Sequence, residues 1–162
     1  LGHAIEALWM IMNEAYRRKD KGLVSLAKER FKRHVEVAWD DLYGGFFHSL
    51  ESIDNYRFLM DKVLWAHQEV LMGCAILMEK EGDPWAYRWF EKTLTYLQRH
   101  YVLQDLPNRP WRIAGDRRMK DLQPGTRIEN YHHPRQLMFV LGTLNRILDQ
   151  NNIDHDNKQR IN

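Results

Sequence analysis

The chain has 162 residues, of which 44% are hydrophobic and 28% charged, with a formal net charge of +2. That length is enough to bury one domain's core, and the charge is too evenly mixed to supply the basic face a nucleic acid requires. No run approaches the about eighteen apolar residues of a membrane span, so neither nucleic acid nor membrane is expected as a partner, and the cytoplasm is the expected location.

Ala4, Leu8, Ile11, Met12 and Ala15 recur at helical spacing and predict a first amphipathic helix, ending in Arg17-Arg18-Lys19. Its first residues already read as a helix entrance and carry no initiator Met, so a fragment of a longer protein is expected. After Asp20-Lys21-Gly22 a second helix is predicted from about Leu23 to Trp39, burying Leu26, Phe31, Val35 and Ala38. The stretch Asp40 to Phe47 breaks it. Gly44-Gly45 permits a tight turn, and the aromatics after it read as a short strand or hairpin arm.

A third helix is predicted from about Leu59 to Lys80, with a broad apolar stripe through Val63, Ala66, Val70, Cys74 and Leu77. Such breadth implies burial on more than one side. Cys74, the single cysteine, is then a buried small hydrophobe, and no internal disulfide can form. In Glu81-Gly82-Asp83-Pro84 the glycine ends one helix, while Asp83 caps the next and proline takes its first position. That fourth helix runs from Trp85 to about His100, with Trp85, Trp89, Leu94, Leu97 and Tyr101 inward. Residues 102–130 form a long irregular segment, with one short strand at Trp111–Ala114. A fifth helix follows Pro134, carries Leu137, Val140, Leu141, Leu144 and Leu148, and fades after Asp149. Residues 1–150 thus form the folded unit and 151–162 a polar tail. The fold class is all-α, a series of helical hairpins with short β hairpins in the loops.

Three stretches could carry chemistry. In Gly2-His3-Ala4-Ile5-Glu6, His3 and Glu6 share a helix face, close enough for the carboxylate to orient or charge the imidazole. Lys62, Trp65 and Glu69 fall on one helical stripe. His132 and His133 stand at the entrance of the fifth helix, beside Tyr131. Each has a plainer alternative: a terminal His beside a surface Glu, a buried Trp with a flanking ion pair, a polar helix start. No His pair has the spacing of a helical metal site, no Gly-rich loop precedes Lys-Ser/Thr, and no Gly-x-Ser-x-Gly elbow is present.

Together these stretches resemble the N-acylglucosamine 2-epimerase family, which includes cellobiose 2-epimerases and mannose isomerases. The matching motifs are Gly2-His3-Ala4-Ile5-Glu6-Ala7-Leu8-Trp9, Trp39-Asp40 to Phe47, Lys62 to Leu71, Gly82-Asp83-Pro84, and Tyr131-His132-His133-Pro134-Arg135. The resemblance implies an (α/α)6 barrel, of which this chain supplies about half, its C-terminal part. It implies that His3 and His132 act as opposing bases on an open-chain sugar, that Glu6, Trp65, Glu69 and Tyr131 bind it, and that His133 occupies a variable position. It further implies a sugar 2-epimerase or aldose–ketose isomerase working through a cis-enediol(ate), with no metal or organic cofactor. The family's Gly-Pro-aromatic-Lys element before the second histidine is replaced by Thr126-Arg127-Ile128-Glu129-Asn130. The partner is a mono- or disaccharide substrate. Half a barrel leaves apolar faces for a second copy or a missing N-terminal half, and this chain alone is not expected to hold the complete site. The rival functions are a non-catalytic carbohydrate-binding fragment and a glycoside hydrolase using Glu6 and Glu69 as its two carboxylates.

Overall fold

The computed structural model describes residues 1–102, 112–120, 122–123 and 131–161. In chain order it comprises α1 (Gly2–Arg18), α2 (Lys21–Ala38), β1 (Leu50–Ser52), β2 (Arg57–Phe58), β3 (Lys62–Val63), α3 (Leu64–Glu81), α4 (Pro84–His100), β4 (Ala114–Gly115), β5 (Leu122–Gln123) and α5 (His132–Ile161). The residues that stand at the predicted Gly-Pro-aromatic-Lys position, Thr126–Asn130, lie outside the described residues, as does Trp111. Among the described residues no helix is long and apolar enough to cross a membrane.

The helices form two layers. α1, α3 and α5 lie side by side with α3 in the middle, while α2 packs on α1 and α4 on α3. This is the layering of part of an (α/α)6 barrel. Every residue of α3 from Ala66 to Met78, Cys74 included, is buried, as a helix apolar all round demands. Asp83 accepts from the Trp85 amide, capping α4 directly after Gly82 closes α3.

The predicted faces of the flanking helices need correction. α1 buries Ile5, Trp9, Met12 and Ala15, while Ile11 is exposed. Leu26 on α2 and Leu94 on α4 also face outward. On α5 the core takes Gln136, Val140 and Thr143, and Leu137, Leu141 and Leu148 of the predicted stripe are exposed together with Met138. The cause is position: α1 and α5 are the ends of the inner row, and each carries a second apolar flank with no helix against it among the described residues. α5 also continues to Ile161, well past Asp149.

The third helix starts later than predicted, because residues 62–63 pair antiparallel with β4, which in turn pairs with β5. Lys62 is therefore off the stripe of Trp65 and Glu69. Its side chain is fully buried on the other side, donating to Asp40 Oδ2 at 2.9 Å and to the Gly44 carbonyl. Arg117 grips the same carboxylate with two bonds of 2.9 Å, and the Leu42 amide donates to it as well. Burial alone would raise the Asp40 carboxyl, but the bonds from Arg117 and Lys62 outweigh it and hold the group well below the usual carboxylate range. Gly44 and Gly45, both at positive φ, make the turn that brings this loop over Tyr96. One carboxylate so ties the loop after α2 to β3 and to the β4–β5 turn.

Beside this knot His67 is wholly enclosed. Its Nε2 accepts from the Phe46 amide at 3.0 Å, its Nδ1 donates to the Val63 carbonyl at 2.8 Å, and its ring stacks on Tyr96. Burial pushes its pKa down to about 3, so it is neutral in the fold and takes up a proton near 6.5 once unfolded. Its contribution is thus complete above pH 6.5 and lost as pH falls towards 3. Urea unfolding should show stability dropping by about 1 kcal/mol between pH 6 and pH 5. That slope should flatten in His67→Gln, and an equal slope in both proteins would contradict neutral burial.

Candidate active site

The inner helices bring their first turns together at one end of the layer. α1 can approach α3 there only because residue 2 is glycine: a Cβ on it would lie 2.5 Å from the rim of the Trp65 indole. The Gly2 amide donates to the His48 carbonyl at 2.8 Å, anchoring the loop that follows Phe47. Trp65 then takes the His3 ring at 4.7 Å and the His132 ring at 5.2 Å between centroids. Two histidines from opposite ends of the chain thus meet on one indole. His48 adds a third imidazole edge-on to the same indole at 6.5 Å, with its Nδ1 3.6 Å from Asp61.

Below the indole lies a carboxylate with no exposure, Glu69. Its Oε2 accepts from Trp9 Nε1 at 2.7 Å, and its Oε1 accepts from His132 Nδ1 at 2.8 Å and from Arg135 Nη2 at 2.6 Å. Since a carboxylate can only accept, Nδ1 of His132 carries a proton, and the basic lone pair of the neutral ring belongs to Nε2. The 3.3 Å between Arg135 Nη2 and His132 Nδ1 follows from two donors sharing one oxygen and is not a bond of its own. Arg135 also reaches Glu6 Oε1 at 2.9 Å and the Tyr131 hydroxyl at 2.7 Å, and stacks over the Tyr131 ring at 4.2 Å.

The structure therefore brings His3, Trp65 and His132 together, with Glu69 bonded to His132 and Glu6 joined to it through Arg135. Tyr131 is exposed at the edge, its ring 4.9 Å from that of His132. The carboxylate beside His3 in sequence turns to Arg135, and the carboxylate that meets an imidazole is Glu69, sixty-three residues from His132. Trp9 and Arg135 belong to the same motifs, but spacing assigns them no role; only the approach of three helices shows what they bind. His133 points elsewhere, with its Nδ1 2.6 Å from the Gln68 amide nitrogen. An oxygen of Glu6, an oxygen of Glu69 and a ring nitrogen of His132 lie within 4.8 Å of one another. The cation between the two carboxylates here is the Arg135 guanidinium.

The sequence model of the N-acylglucosamine 2-epimerase (GlcNAc 2-epimerase) family matches residues 2–133. Human N-acylglucosamine 2-epimerase is 26% identical over 106 residues, which is 62% of this chain and 24% of that protein. A crystal structure of D-mannose isomerase superposes with a TM-score of 0.71 at 17% identity, covering 92% of this chain and 36% of that one. Cellobiose 2-epimerase from Spirochaeta thermophila DSM 6192 superposes with a TM-score of 0.67 at 15% identity, covering 90% and 37%. The chain thus spans about a quarter of the human relative and just over a third of these structures.

Proposed function

The chain belongs to the N-acylglucosamine 2-epimerase family, and from that premise we propose that it carries the two-histidine half of a sugar 2-epimerase or isomerase site. The observation that supports this reading most is the meeting of His3 and His132 on Trp65, with Glu69 holding His132 by Nδ1.

The proton on C2 of an open-chain aldose is acidified by the neighbouring carbonyl. A neutral imidazole within hydrogen-bond reach can remove it and leave a cis-enediolate. His132 would act through Nε2, since Glu69 keeps the proton on Nδ1 and stabilises the imidazolium that forms. His3, the second imidazole against Trp65, would serve the opposite face of the sugar. Returning a proton to C2 from that face inverts the centre and gives the 2-epimer, whereas returning it to C1 gives a ketose. Trp65 and Tyr131 offer flat apolar surfaces to the sugar's C–H faces, and Glu6 and Glu69 line the floor. The reaction as written needs two imidazole bases and calls on no metal or organic cofactor. The rest of the sugar contacts would come from a second copy or from an N-terminal half, against the apolar flanks of α1 and α5. The cytoplasm is the compartment we expect.

The test is to incubate the protein, with its barrel completed by the second copy or the N-terminal half, with N-acetylmannosamine, mannose or cellobiose in heavy water and follow C2 by proton NMR. Deuterium at C2 is the expected result, and the product, C2 epimer or ketose, separates epimerase from isomerase. Sugar binding without exchange would instead favour a binding module, and release of reducing ends from an oligosaccharide a hydrolase.

A further inference from the structure

Arg135 stands one turn after His132 on α5 and is the point where the three inner helices are joined. Its Nη2 lies 2.9 Å from Glu6 on α1 and 2.6 Å from Glu69 on α3. Its Nη1 donates to Tyr131, and the guanidinium lies over the rings of Tyr131 and Trp9 at 4.2 and 5.4 Å. A lysine ammonium could sit between the two carboxylates as a point charge, as the single nitrogen Nη2 does here. Spanning two carboxylates while stacking between two aromatic rings needs the planar fork of arginine.

The consequence concerns Glu69. It is fully buried, and a buried carboxylate requires a cation. Two groups on its Oε1 can supply one: Arg135 permanently, and His132 only by holding a second proton. If His132 had to balance Glu69, it would be locked as imidazolium and could not act as a base. We propose that Arg135 is a positioning residue that neutralises Glu69 and Glu6 together, and so frees His132 to take and return a proton. This rests on the reading of His132 as a base. The ionisable groups facing His132 are Glu69 from α3, Glu6 and His3 from α1, and Tyr131, His133 and Arg135 from its own segment. Among them Arg135 is the permanent cation, so its removal leaves two acidic groups acting on the imidazole. The sign follows: the imidazolium becomes more stable, and His132 titrates at higher pH.

The experiment is an NMR titration of the histidine rings in the intact protein without sugar, with the His132 signal assigned by its loss in His132→Asn. In Arg135→Gln, which keeps a donor but no charge, the midpoint should rise by about one pH unit or more. In Arg135→Lys it should stay within a few tenths of a unit of the parent. Where exchange at C2 is measurable, the acid limb of its pH profile should move with the midpoint in the Gln variant. In the Lys variant the limb should hold while kcat falls, because an ammonium lacks the second nitrogen that bonds Tyr131 and the plane that stacks on the two rings. A midpoint unmoved or lowered in Arg135→Gln overturns the proposal, since a merely structural role would cost stability without moving the titration. Should that variant fail to fold by circular dichroism, Arg135→Lys decides, and a rise of a full unit with the charge retained overturns it. Because the titration needs no substrate, a parent protein without C2 exchange would count against the proposed reaction and leave this result to stand by itself.

Discussion

Replacing His132 or His3 by asparagine should lower deuterium incorporation at C2 by about 10²–10⁴-fold, the usual contribution of a well-placed general base. Asparagine keeps a donor that can reach Glu69 from position 132, so the floor of the site should survive while the base is lost. At position 3 the substitution removes a ring that lies on Trp65 from an exposed first turn, and folding should be little affected. His133→Asn is the internal control: its side chain is turned to Gln68, and exchange should change far less. Rates are read by proton NMR in heavy water, with circular dichroism to show that each variant is folded. Exchange at the parent rate in His132→Asn would rule out that imidazole as the base, whatever the sugar.

Asp40→Ala should destabilise the fold by about 3–5 kcal/mol, the cost of leaving a buried charge without its partner. The charge left behind is Lys62, which has no exposed surface and, with Asp40 gone, would keep only the Gly44 carbonyl of its two acceptors. Lys62→Met is the informative contrast. It fills a similar volume, removes the buried ammonium, and leaves Asp40 with both bonds from Arg117 and the Leu42 amide. Its cost should therefore be well below that of Asp40→Ala. Urea unfolding of the two variants compares them directly. Equal losses would mean that packing around Phe47 and Tyr96, and not uncompensated charge, is what the knot supplies.

The helices and their punctuation were legible because local rules act on them alone. Gly82-Asp83-Pro84 closes and opens helices through backbone geometry that needs no tertiary partner. The site histidines were legible as members of motifs, and the fold sets both on Trp65. Which face of each helix is buried was legible throughout for the middle helix, whose neighbours surround it, and in part for the others, where Phe31, Val35, Ala38 and Leu97 are buried as expected. Ile11 and Leu141 carry the same apolar signal as Ile5 and Val140, and only the number of helices present separates inside from outside. Lys62 misled for another reason: helical spacing was extended across two residues that pair as a strand, which reverses the direction of its side chain. The joining of Glu6 to Glu69 through Arg135 could not be read at all, since a guanidinium spanning residues sixty-six and 129 positions away leaves no periodicity.

The first two turns of α1, α3 and α5 supply His3 and Glu6, Trp65 and Glu69, and His132 and Arg135. All three inner helices therefore run the same way and present the same pole to the site. Each peptide dipole aligned along a helix adds to a partial positive charge at that pole, equivalent to about half an elementary charge per helix. An enediolate formed on Trp65 would gather its negative charge where three such fields overlap. Backbone dipoles fixed by folding need no rearrangement as that charge appears, which is the condition under which electrostatic stabilisation of a transition state is most effective. The parallel run of the inner row would thus make the backbone itself part of the proposed chemistry, independently of the sugar.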